Sequence, residues 1–332
     1  MKVILVKAGG QAPRLIWEKA PDPAMGPEEV LVAVRATAVN RADLLQARGQ
    51  YPPPPGVTDV LGLEMAGTIA AVGDAAQGWQ PGERVMALLP GGGYAERAAV
   101  HHGLLMRLPD GWSFAQGAAV PEAWLTAFLN LFIEGRLQAG RKVLIHAGAS
   151  GVGTAAIQMA AAVGATVYAT AGSAEKLAAC RRWGATVAID HKNQDFAVEI
   201  KAHAEGRGVD LVLDPVGAAY LKRNLEVLAP GGRLVNIGLM GGSRAEIDLG
   251  RVLGGSLRLI GSRLRPRPIS ERIKITRRFE GRFLPMLASG ELQPVIDRVF
   301  PITEAEAAHA HVKENRNIGK VILEVPAGGQ GL

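Results

Sequence analysis

Two glycines and an alanine that follow a short apolar run have the spacing of a phosphate-binding turn. Residues 143–145 are branched and apolar, and Gly151, Gly153 and Ala156 then fit the pattern G-x-G-x-x-A. A strand, a tight turn and a helix in this order form the context of a dinucleotide-binding fingerprint. The first glycine would permit the turn, the second would let the backbone approach a pyrophosphate, and the small third residue would allow close packing. We therefore expect a dinucleotide at the positive end of this helix.

A second group of residues bears on which dinucleotide would bind. NAD-binding units carry a carboxylate about 20 residues past the first fingerprint glycine, but this chain has Ala171, Gly172 and Ser173 there. Without the acid nothing repels a 2′-phosphate, to which Ser173 can donate a hydrogen bond and Lys176 can offer a cation. His191, after the next predicted strand, could add a third contact. Taken singly, Ser173 is better explained as a helix cap and Lys176 as a surface lysine, but together they favour NADPH.

Length and composition describe a folded chain with room for two domains. The 332 residues are 48% hydrophobic and 20% charged, which excludes a disordered protein. No run reaches the ~18 apolar residues of a membrane helix, and residues 1–6 are too short for the apolar core of a signal peptide. Cys180 is the single cysteine, which excludes an intramolecular disulfide and a cysteine-rich metal site. We expect a cytoplasmic protein with no membrane partner.

Positive charge is concentrated in residues 263–282. The net charge of the chain is +6. The basic residues of the stretch are Arg263, Arg265, Arg267, Arg272, Lys274, Arg277, Arg278 and Arg282. Glutamates interrupt the stretch, and much of it has a helical pattern, so a solvated helix face is favoured. A nucleic-acid surface stays open as the weaker alternative.

Strand and helix patterns divide the chain into two domains. Strand patterns with turn signals occupy residues 2–6, 29–37, 60–72 and 84–88, and residues 40–48 form a short helical pattern. They predict a β-barrel-like domain. A predicted helix at residues 122–137 leads into the fingerprint strand, after which strands and helices (one at 218–228) alternate up to residue 261, as in a parallel sheet covered on both faces. The final strand pattern, residues 320–325, should return to the first domain. We predict an α/β protein with domains at 1–120 (completed by 267–332) and 121–266, and no fixed structure for 327–332.

Short motifs along nearly the whole chain carry a family resemblance. They are residues 38–44 (AVNRADL), 49–56 (GQYPPPPG), 61–64 (LGLE), 86–93 (MALLPGGG), 121–128 (PEAWLTAF), 238–242 (GLMGG), 317–320 (NIGK) and the fingerprint. In these the chain resembles the medium-chain dehydrogenase/reductase superfamily, within it the zinc-free quinone oxidoreductases, and among those the tumour-suppressor-inducible branch. The resemblance implies a GroES-like, β-barrel-type catalytic domain and a doubly wound, parallel-sheet Rossmann domain that binds NADPH.

The resemblance also shows where this chain departs from the zinc alcohol dehydrogenases. Asn40, Leu63 and Glu122 stand at the positions of the catalytic zinc ligands, and asparagine and leucine do not hold zinc. His101 and His102 should not replace them, because neighbours on an extended chain point to opposite faces. We expect no metal. Alcohol oxidation would then lack the Lewis acid that holds the developing alkoxide, whereas a quinone or an activated alkene delocalises the charge itself.

The resemblance implies the site residues as well. The cofactor contacts would be Asn40, Thr126, Ser150, Gly151, Val152, Gly153, Gly172, Ser173, Lys176, His191, Gly238, Leu239, Met240 and Asn317. The nicotinamide would lie in a cleft between the domains, near Asn40, Thr126 and residues 238–240. Tyr51, Asn40 and Thr126 would be the catalytic residues, with Tyr51 offering a ring for stacking and a hydroxyl for the carbonyl oxygen. Simpler roles stay open: Tyr51 could anchor the proline loop at 52–55, and Asn40 could cap a helix.

The expected activity is that of an NADPH-dependent, zinc-independent quinone oxidoreductase, which reduces small quinones by hydride or single-electron transfer. A reductase of 2-alkenals and enones is the closest alternative, because both reactions need the same metal-free geometry. An NADPH-binding RNA-binding or structural protein is an alternative of another class, and a zinc alcohol dehydrogenase is the most distant one. Relatives pair through an edge strand that corresponds to residues 256–265, so we expect a homodimer.

Overall fold

The chain forms two compact units, the first of which is built from both ends of the sequence. The structure, a computed structural model, describes residues 1–9, 13–204 and 206–326. The first unit is Met1–Leu125 with Arg265–Leu332, and the second is Thr126–Leu264. The sequence predicts these boundaries after residues 120 and 266. Residues 327–332, expected to have no fixed structure, lie outside the described residues.

The elements are numbered in chain order. The strands are β1 (Lys2–Lys7), β2 (Arg14–Lys19), β3 (Glu29–Val39), β4 (Glu64–Val72), β5 (Arg84–Leu88), β6 (Arg97–His101), β7 (Leu105–Arg107), β8 (Lys142–Ile145), β9 (Thr166–Ala171), β10 (Val187–Asp190), β11 (Val209–Asp214), β12 (Leu228–Asn236), β13 (Arg258–Gly261), β14 (Ile296–Pro301) and β15 (Lys320–Glu324). The α-helices are α1 (Arg41–Ala47), α2 (Phe114–Ala118), α3 (Pro121–Phe128), α4 (Gly151–Ala162), α5 (Ala174–Arg182), α6 (Phe196–His203), α7 (Leu221–Val227), α8 (Leu249–Gly254), α9 (Ile269–Ala288) and α10 (Ala305–Lys313). Among the described residues, no helix combines the length and the apolar character that crossing a bilayer requires.

A mixed sheet forms the body of the first unit. Its strand order is β14-β15-β3-β4-β5-β7, β6 pairs with β3, and β1 and β2 form a separate antiparallel pair. Alternation along β3 buries Val30, Val32 and Val34 in the core of this unit. The strand predicted at residues 320–325 is β15, which lies between β14 and β3 and so joins the first unit as expected.

A six-stranded parallel sheet forms the second unit. Its order is β10-β9-β8-β11-β12-β13, and helices connect the strands. Val143, Leu144 and Ile145 are fully buried, as is typical of a central strand covered on both faces. The direction in which the chain winds reverses between the neighbouring strands β8 and β11. This strand order is that of a doubly wound parallel sheet, so the predicted fold class is confirmed. In such folds ligands bind beyond the carboxyl ends of the strands at the switch point.

Two predicted helices have different bounds in the structure. The helix expected at 122–137 ends as α3 at Phe128 and continues as a π-helix over Leu129–Glu134. The Gly135 N–H donates to the Asn130 carbonyl five residues earlier, a local change that a 3.6-residue period does not show. The helix expected at 218–228 is a 3₁₀ turn, Ala218–Tyr220, followed by α7, and the next residue already opens β12.

Several strands also differ from the expectation. The strand predicted at 60–72 begins only at Glu64, because Gly62 has a φ of +102° and a Cβ on it would lie 2.6 Å from the Gly93 Cα. Such close backbone contact in a left-handed conformation interrupts the extended chain. The short strands β2, β6, β7 and β14 have no clear alternation of their own, and the sequence did not predict them.

Candidate functional site

The fingerprint turn lies between β8 and α4 in the second unit. Ser150 precedes α4, and its Oγ accepts a hydrogen bond from the Gly153 N–H at 3.0 Å. A Cβ on Gly153 would lie 2.3 Å from the carbonyl oxygen of Ala147. Gly153 is therefore needed to close the turn itself, in addition to the approach to a pyrophosphate that the sequence predicts. The turn presents the amino end of a helix of twelve residues, a site that favours anions.

The residues predicted to meet a 2′-phosphate are close together at the end of β9. Ser173 precedes α5, and its Oγ accepts a hydrogen bond from the Lys176 N–H at 3.3 Å. The His191 N–H donates to the Ala171 carbonyl at 3.1 Å, and a Cβ on Gly172 would lie 2.8 Å from the His191 Nε2. Ser173 is thus a helix cap, as its simpler interpretation has it, and it also lies where β9 ends.

The carboxylate nearest in register to the end of β9 is Asp190, which pairs with Ala171 across the two strands. Its Oδ1 accepts the Lys192 N–H at 3.0 Å, and its Oδ2 accepts the Asn193 side-chain amide at 2.8 Å. Asp190 therefore closes the turn after β10. Because Asp190 is engaged in its own turn, it does not replace the acid that is missing at residues 171–173. That missing acid is the feature that bears on the choice between NAD and NADP.

The loop after β12 carries the predicted nicotinamide contacts Gly238, Leu239 and Met240. The Asn236 amide donates to the Gly238 carbonyl at 2.9 Å, and the Met240 N–H donates to the Pro215 carbonyl at 3.2 Å. The side chains of Leu239 and Met240 are 57% and 48% exposed. A cavity of about 290 Å³ beside this loop is lined by residues of β11, β12 and β13, including Asp214 and Asn236. The backbone of the loop is fixed while its apolar side chains face outward.

A buried chain of hydrogen bonds that the sequence did not predict joins residues near the carboxyl ends of β9, β8 and β11 through α7. Asn224 donates through Nδ2 to Asp214 Oδ2 at 3.1 Å and accepts at Oδ1 from His146 Nε2 at 2.7 Å. His146 Nδ1 therefore accepts from the Thr170 hydroxyl, at 3.0 Å. Burial lowers the pKa of His146 to about 4, so the ring is neutral near pH 7. A histidine at the end of an apolar strand is the sequence signal that was missed.

Polar groups of the first unit are clustered at the amino ends of β4 and β15. Glu64 is fully buried, and its Oε1 accepts from Lys320 Nζ at 2.7 Å and from the Asn40 amide at 2.8 Å. Its Oε2 accepts the Glu122 N–H at 2.8 Å. Lys320 also donates to Asn40 Oδ1 at 2.6 Å. Asn40 precedes α1, as the helix-cap interpretation requires, but its side chain is held by Lys320 and Glu64.

Two further acids extend this cluster. Asp43 is fully buried, and its oxygens accept the N–H groups of Asn40 and Gly62 at 2.8 and 3.1 Å. Burial raises the pKa of Asp43 to about 6. Burial, reinforced by the negative charge of Glu64, raises the pKa of Glu122 to about 8. Glu122 is therefore a neutral acid near pH 7.

Tyr51 lies under a buried arginine. The guanidinium carbon of Arg265 is 5.2 Å from the centre of the Tyr51 ring, and Arg265 is only 7% exposed. Its Nε donates to the Pro90 carbonyl at 2.6 Å. The stretch at 263–282 is therefore not one solvated basic face: Arg265 is interior, and Arg267 pairs with Glu271 on α9.

The other predicted contacts are placed as follows. Thr126 lies in the last turn of α3, where its carbonyl accepts the Asn130 amide at 2.7 Å. The Asn317 amide donates to the Gly319 carbonyl at 2.7 Å, in the turn before β15. The rings of His101 and His102 stack with centroids 4.9 Å apart. The expectation of opposite faces was wrong for this pair, because β6 ends at His101 and a 3₁₀ turn begins at the next residue.

Comparison with known proteins gives a consistent picture for both units. Residues 26–110 match the family described as alcohol dehydrogenase GroES-like domain, and residues 151–278 match the family described as zinc-binding dehydrogenase. The chain is similar to the Escherichia coli quinone oxidoreductase complexed with NADPH (26% identity, 97% of this chain and 99% of that chain, TM-score 0.88). It is also similar to the CurK enoyl reductase (30% identity, 94% of this chain and 95% of that chain, TM-score 0.81).

A much longer protein is similar over nearly all of this chain. The pikromycin polyketide synthase component PikAII of Streptomyces venezuelae is 34% identical over 327 residues, which are 98% of this chain. The matched region is 8% of the length of that synthase. The chain thus corresponds to a small part of this relative.

The zinc ion named in the second family's description does not fit the residues around Asn40 and Leu63. Leu63 is apolar and 2% exposed, and the Asn40 amide is engaged by Lys320 and Glu64. The Lys320 ammonium contributes a positive charge to the cluster and would repel a second cation. The side chains around Asn40 therefore hold a lysine in place of a metal.

Proposed function

The chain belongs to the medium-chain dehydrogenase/reductase superfamily, and we propose that it is an NADPH-dependent, zinc-independent oxidoreductase that reduces small quinones. Membership of the tumour-suppressor-inducible branch is part of this proposal. The observation that carries it is the cluster of Asn40, Glu64 and Lys320, in which a buried ion pair takes the place that a zinc site would need. Without a Lewis acid the reaction suits an acceptor that delocalises the new negative charge by conjugation.

NADPH is the cofactor that the second unit fits best. Ser150 and Gly153 would face the pyrophosphate at the amino end of α4. Ser173, Lys176 and His191 would hold the 2′-phosphate beside the end of β9. When bound, the reduced nicotinamide supplies a hydride. The quinone oxidoreductase of E. coli, whose structure was solved with NADPH, supports this choice.

Conjugation decides which acceptors suit this site. A quinone spreads the charge of an added hydride over an aromatic ring, so positioning provides most of the catalysis. A 2-alkenal or enone spreads it over an enolate. That second candidate is favoured by the similarity to the CurK enoyl reductase. In both cases Tyr51 would offer its ring as a platform and its hydroxyl as a donor.

The test is a comparison of acceptors. Three mixtures are compared: NADPH with 1,4-naphthoquinone, NADPH with trans-2-hexenal, and NADP⁺ with a primary alcohol. The nicotinamide absorbance is followed in each, with and without a zinc chelator. We expect turnover of the quinone that the chelator does not change. Turnover of hexenal alone would replace the quinone by the enone proposal. Chelator-sensitive alcohol oxidation would contradict both.

We also propose a homodimer and a cytoplasmic location. The strand β13 forms an edge of the parallel sheet, and Leu259 on it is 40% exposed. An unpaired edge of this kind is a template for a second copy. Sedimentation of the protein and of Leu259→Lys tests it, with dissociation of the variant expected. An RNA-binding role is not favoured, because Arg265 is buried and Arg277 pairs with Glu280.

A further inference from the structure

Arg265 is a buried cation whose two terminal nitrogens have no hydrogen-bond partner in the part of the chain that the structure describes. It is the first residue of the C-terminal segment of the first unit, and only 7% of its surface is exposed. Nε donates to the Pro90 carbonyl at 2.6 Å. Neither Nη1 nor Nη2 has a hydrogen-bond partner within residues 1–9, 13–204 and 206–326.

Two buried N–H groups without acceptors lower the stability of the fold unless a ligand accepts hydrogen bonds from them. A buried donor without an acceptor costs about 1–3 kcal/mol, and more when the group is charged. Burial lowers the pKa of Arg265, while the nearby ionisable groups of Tyr51, Asp43 and Glu122 oppose this shift. The guanidinium is buried, and Nη1 and Nη2 both lack an acceptor among the described residues. A ligand oxygen is the group that would satisfy it.

The surroundings of Arg265 specify the kind of ligand. The Tyr51 ring lies 5.2 Å from the guanidinium carbon and gives the site one flat apolar side. Glu122, whose electrostatic influence reaches the guanidinium, is an acid on the same unit. A flat molecule with an oxygen at its edge matches a ring and two N–H donors, which suits a conjugated carbonyl compound.

We propose that Arg265 donates hydrogen bonds from Nη1 and Nη2 to the carbonyl oxygen of the acceptor and stabilises the oxyanion formed there. The proposal rests on the proposed function and names a residue for it. The acceptor gains a hydride, with its two electrons, from a reduced nicotinamide nucleotide, which is oxidised. The hydride adds to the carbon β to the carbonyl, and the π electrons shift onto the oxygen beside Arg265. A proton from a carboxylic acid or water then gives an enol, which tautomerises to the saturated carbonyl product or, from a quinone, to the quinol.

The first experiment compares Arg265→Met, Arg265→Lys and the control Arg278→Met, which removes an exposed arginine of the same basic stretch. NADPH affinity is measured by tryptophan fluorescence, and kcat and KM are measured with 1,4-naphthoquinone and with trans-2-hexenal. We expect Arg265→Met to lower kcat/KM by about 10²–10³, the usual effect of removing an oxyanion donor, with partial recovery in Arg265→Lys. The Kd for NADPH should stay within about twofold in all three variants.

Two results would overturn the assignment. One is unchanged kcat/KM in Arg265→Met on the acceptor that the protein reduces. The other is a large loss of NADPH affinity, which would indicate that Nη1 and Nη2 donate to an oxygen of the cofactor and not to the acceptor. A deficit confined to the quinone or to hexenal identifies which carbonyl the arginine holds.

A second experiment does not depend on any reductase activity. 4-Nitrophenol, a flat molecule with one ionisable oxygen, is titrated in the presence of the protein, and its absorbance reports the phenolate. Wild type should lower the pKa of the bound phenol by about 1–3 units, as a nearby positive charge does, and Arg265→Met should abolish the shift. If the wild type reduces neither acceptor but shows the shift, the proposed function fails and the oxyanion site remains. No shift in the wild type would refute the site.

Discussion

The Nζ atom of Lys320 lies 2.7 Å from Oε1 of Glu64, and the two side chains are 5% and 0% exposed. Lys320 begins β15 and Glu64 begins β4, with β3 between the two strands in the sheet. The ammonium has further acceptors in Asn40 Oδ1 and the Val39 carbonyl. An ion pair satisfied in this way at low dielectric stays favourable, whereas either partner alone would be a buried charge.

Removing one partner of that pair should destabilise the fold. Lys320→Met leaves the Glu64 carboxylate buried without its cation, so we expect the free energy of unfolding to fall by about 3–5 kcal/mol. Urea denaturation followed by circular dichroism measures it. Lys313→Met, on an exposed lysine of α10, is the control and should change stability by less than about 0.5 kcal/mol. Adding Glu64→Gln to Lys320→Met should recover part of the lost stability. Equal stability of Lys320→Met and the control Lys313→Met would contradict the argument.

Glu122 should make stability fall as the pH rises. Its pKa is raised from 4.5 to about 8, so between these values the folded state holds a proton that the unfolded state has released. Unfolding is then favoured increasingly as pH rises through this window, with a slope of at most about 1.4 kcal/mol per pH unit.

Glu122→Gln keeps the shape of the side chain and removes the titration. Denaturation midpoints measured from about pH 5 to 8 should fall less steeply in this variant than in the wild type. Glu291→Gln, at an exposed glutamate, serves as the control and should reproduce the wild-type slope. Parallel curves for Glu122→Gln and the wild type would show that Glu122 titrates normally.

Lys176 should distinguish the two nicotinamide nucleotides. If it meets a 2′-phosphate from the first turn of α5, Lys176→Ala removes a charge-assisted hydrogen bond worth about 1.5–3 kcal/mol. We expect the Kd for NADPH to rise about tenfold or more, and that for NADH to be unchanged, in calorimetric titrations. Lys201→Ala, an exposed lysine of α6, should affect neither. An equal effect on both nucleotides would exclude the phosphate contact.

Gly153 tests the fingerprint turn. A methyl group placed 2.3 Å from the Ala147 carbonyl oxygen has to push the backbone apart, so Gly153→Ala should lower the melting temperature and weaken NADPH binding. Gly281→Ala in α9 is the matched control. A Cβ there meets nothing within 4 Å, and the substitution should stabilise by about 0.5–1 kcal/mol. Comparable melting curves for the two variants would mean that the turn tolerates a side chain.

Local sequence patterns were sufficient for the sheet and the fingerprint turn of the second unit, but not for its buried His146 and Asn224. The spacing of Gly151, Gly153 and Ala156 and the missing acid at residues 171–173 lie within short segments. The structure places Ser173 and His191 near one another because parallel strands end at the same edge of a sheet. A regular alternation of strands and helices was enough to predict that sheet.

The first unit contains further residues that the sequence did not reveal. In the sequence Arg265 is one member of a basic stretch, and Lys320 is part of a family motif. Their partners, Tyr51 and Glu64, are more than two hundred residues earlier, so no local period relates them. A lone charged residue within an apolar segment, such as Glu64 before Met65, is the signal that such a partner exists. The fold alone shows which residue it is.

The position of β15 has a consequence for synthesis of the chain on the ribosome. The strand that pairs with residues 36–39 of β3 is synthesised only after the whole of Thr126–Leu264 has emerged. Until then Glu64 lacks its partner Lys320 and the carboxyl end of β3 has an unpaired edge, while the intervening nucleotide-binding region can already fold around its own sheet. The nascent protein should therefore mature from its middle outward, and its first hundred residues should be the part that chaperones and proteases meet unfinished.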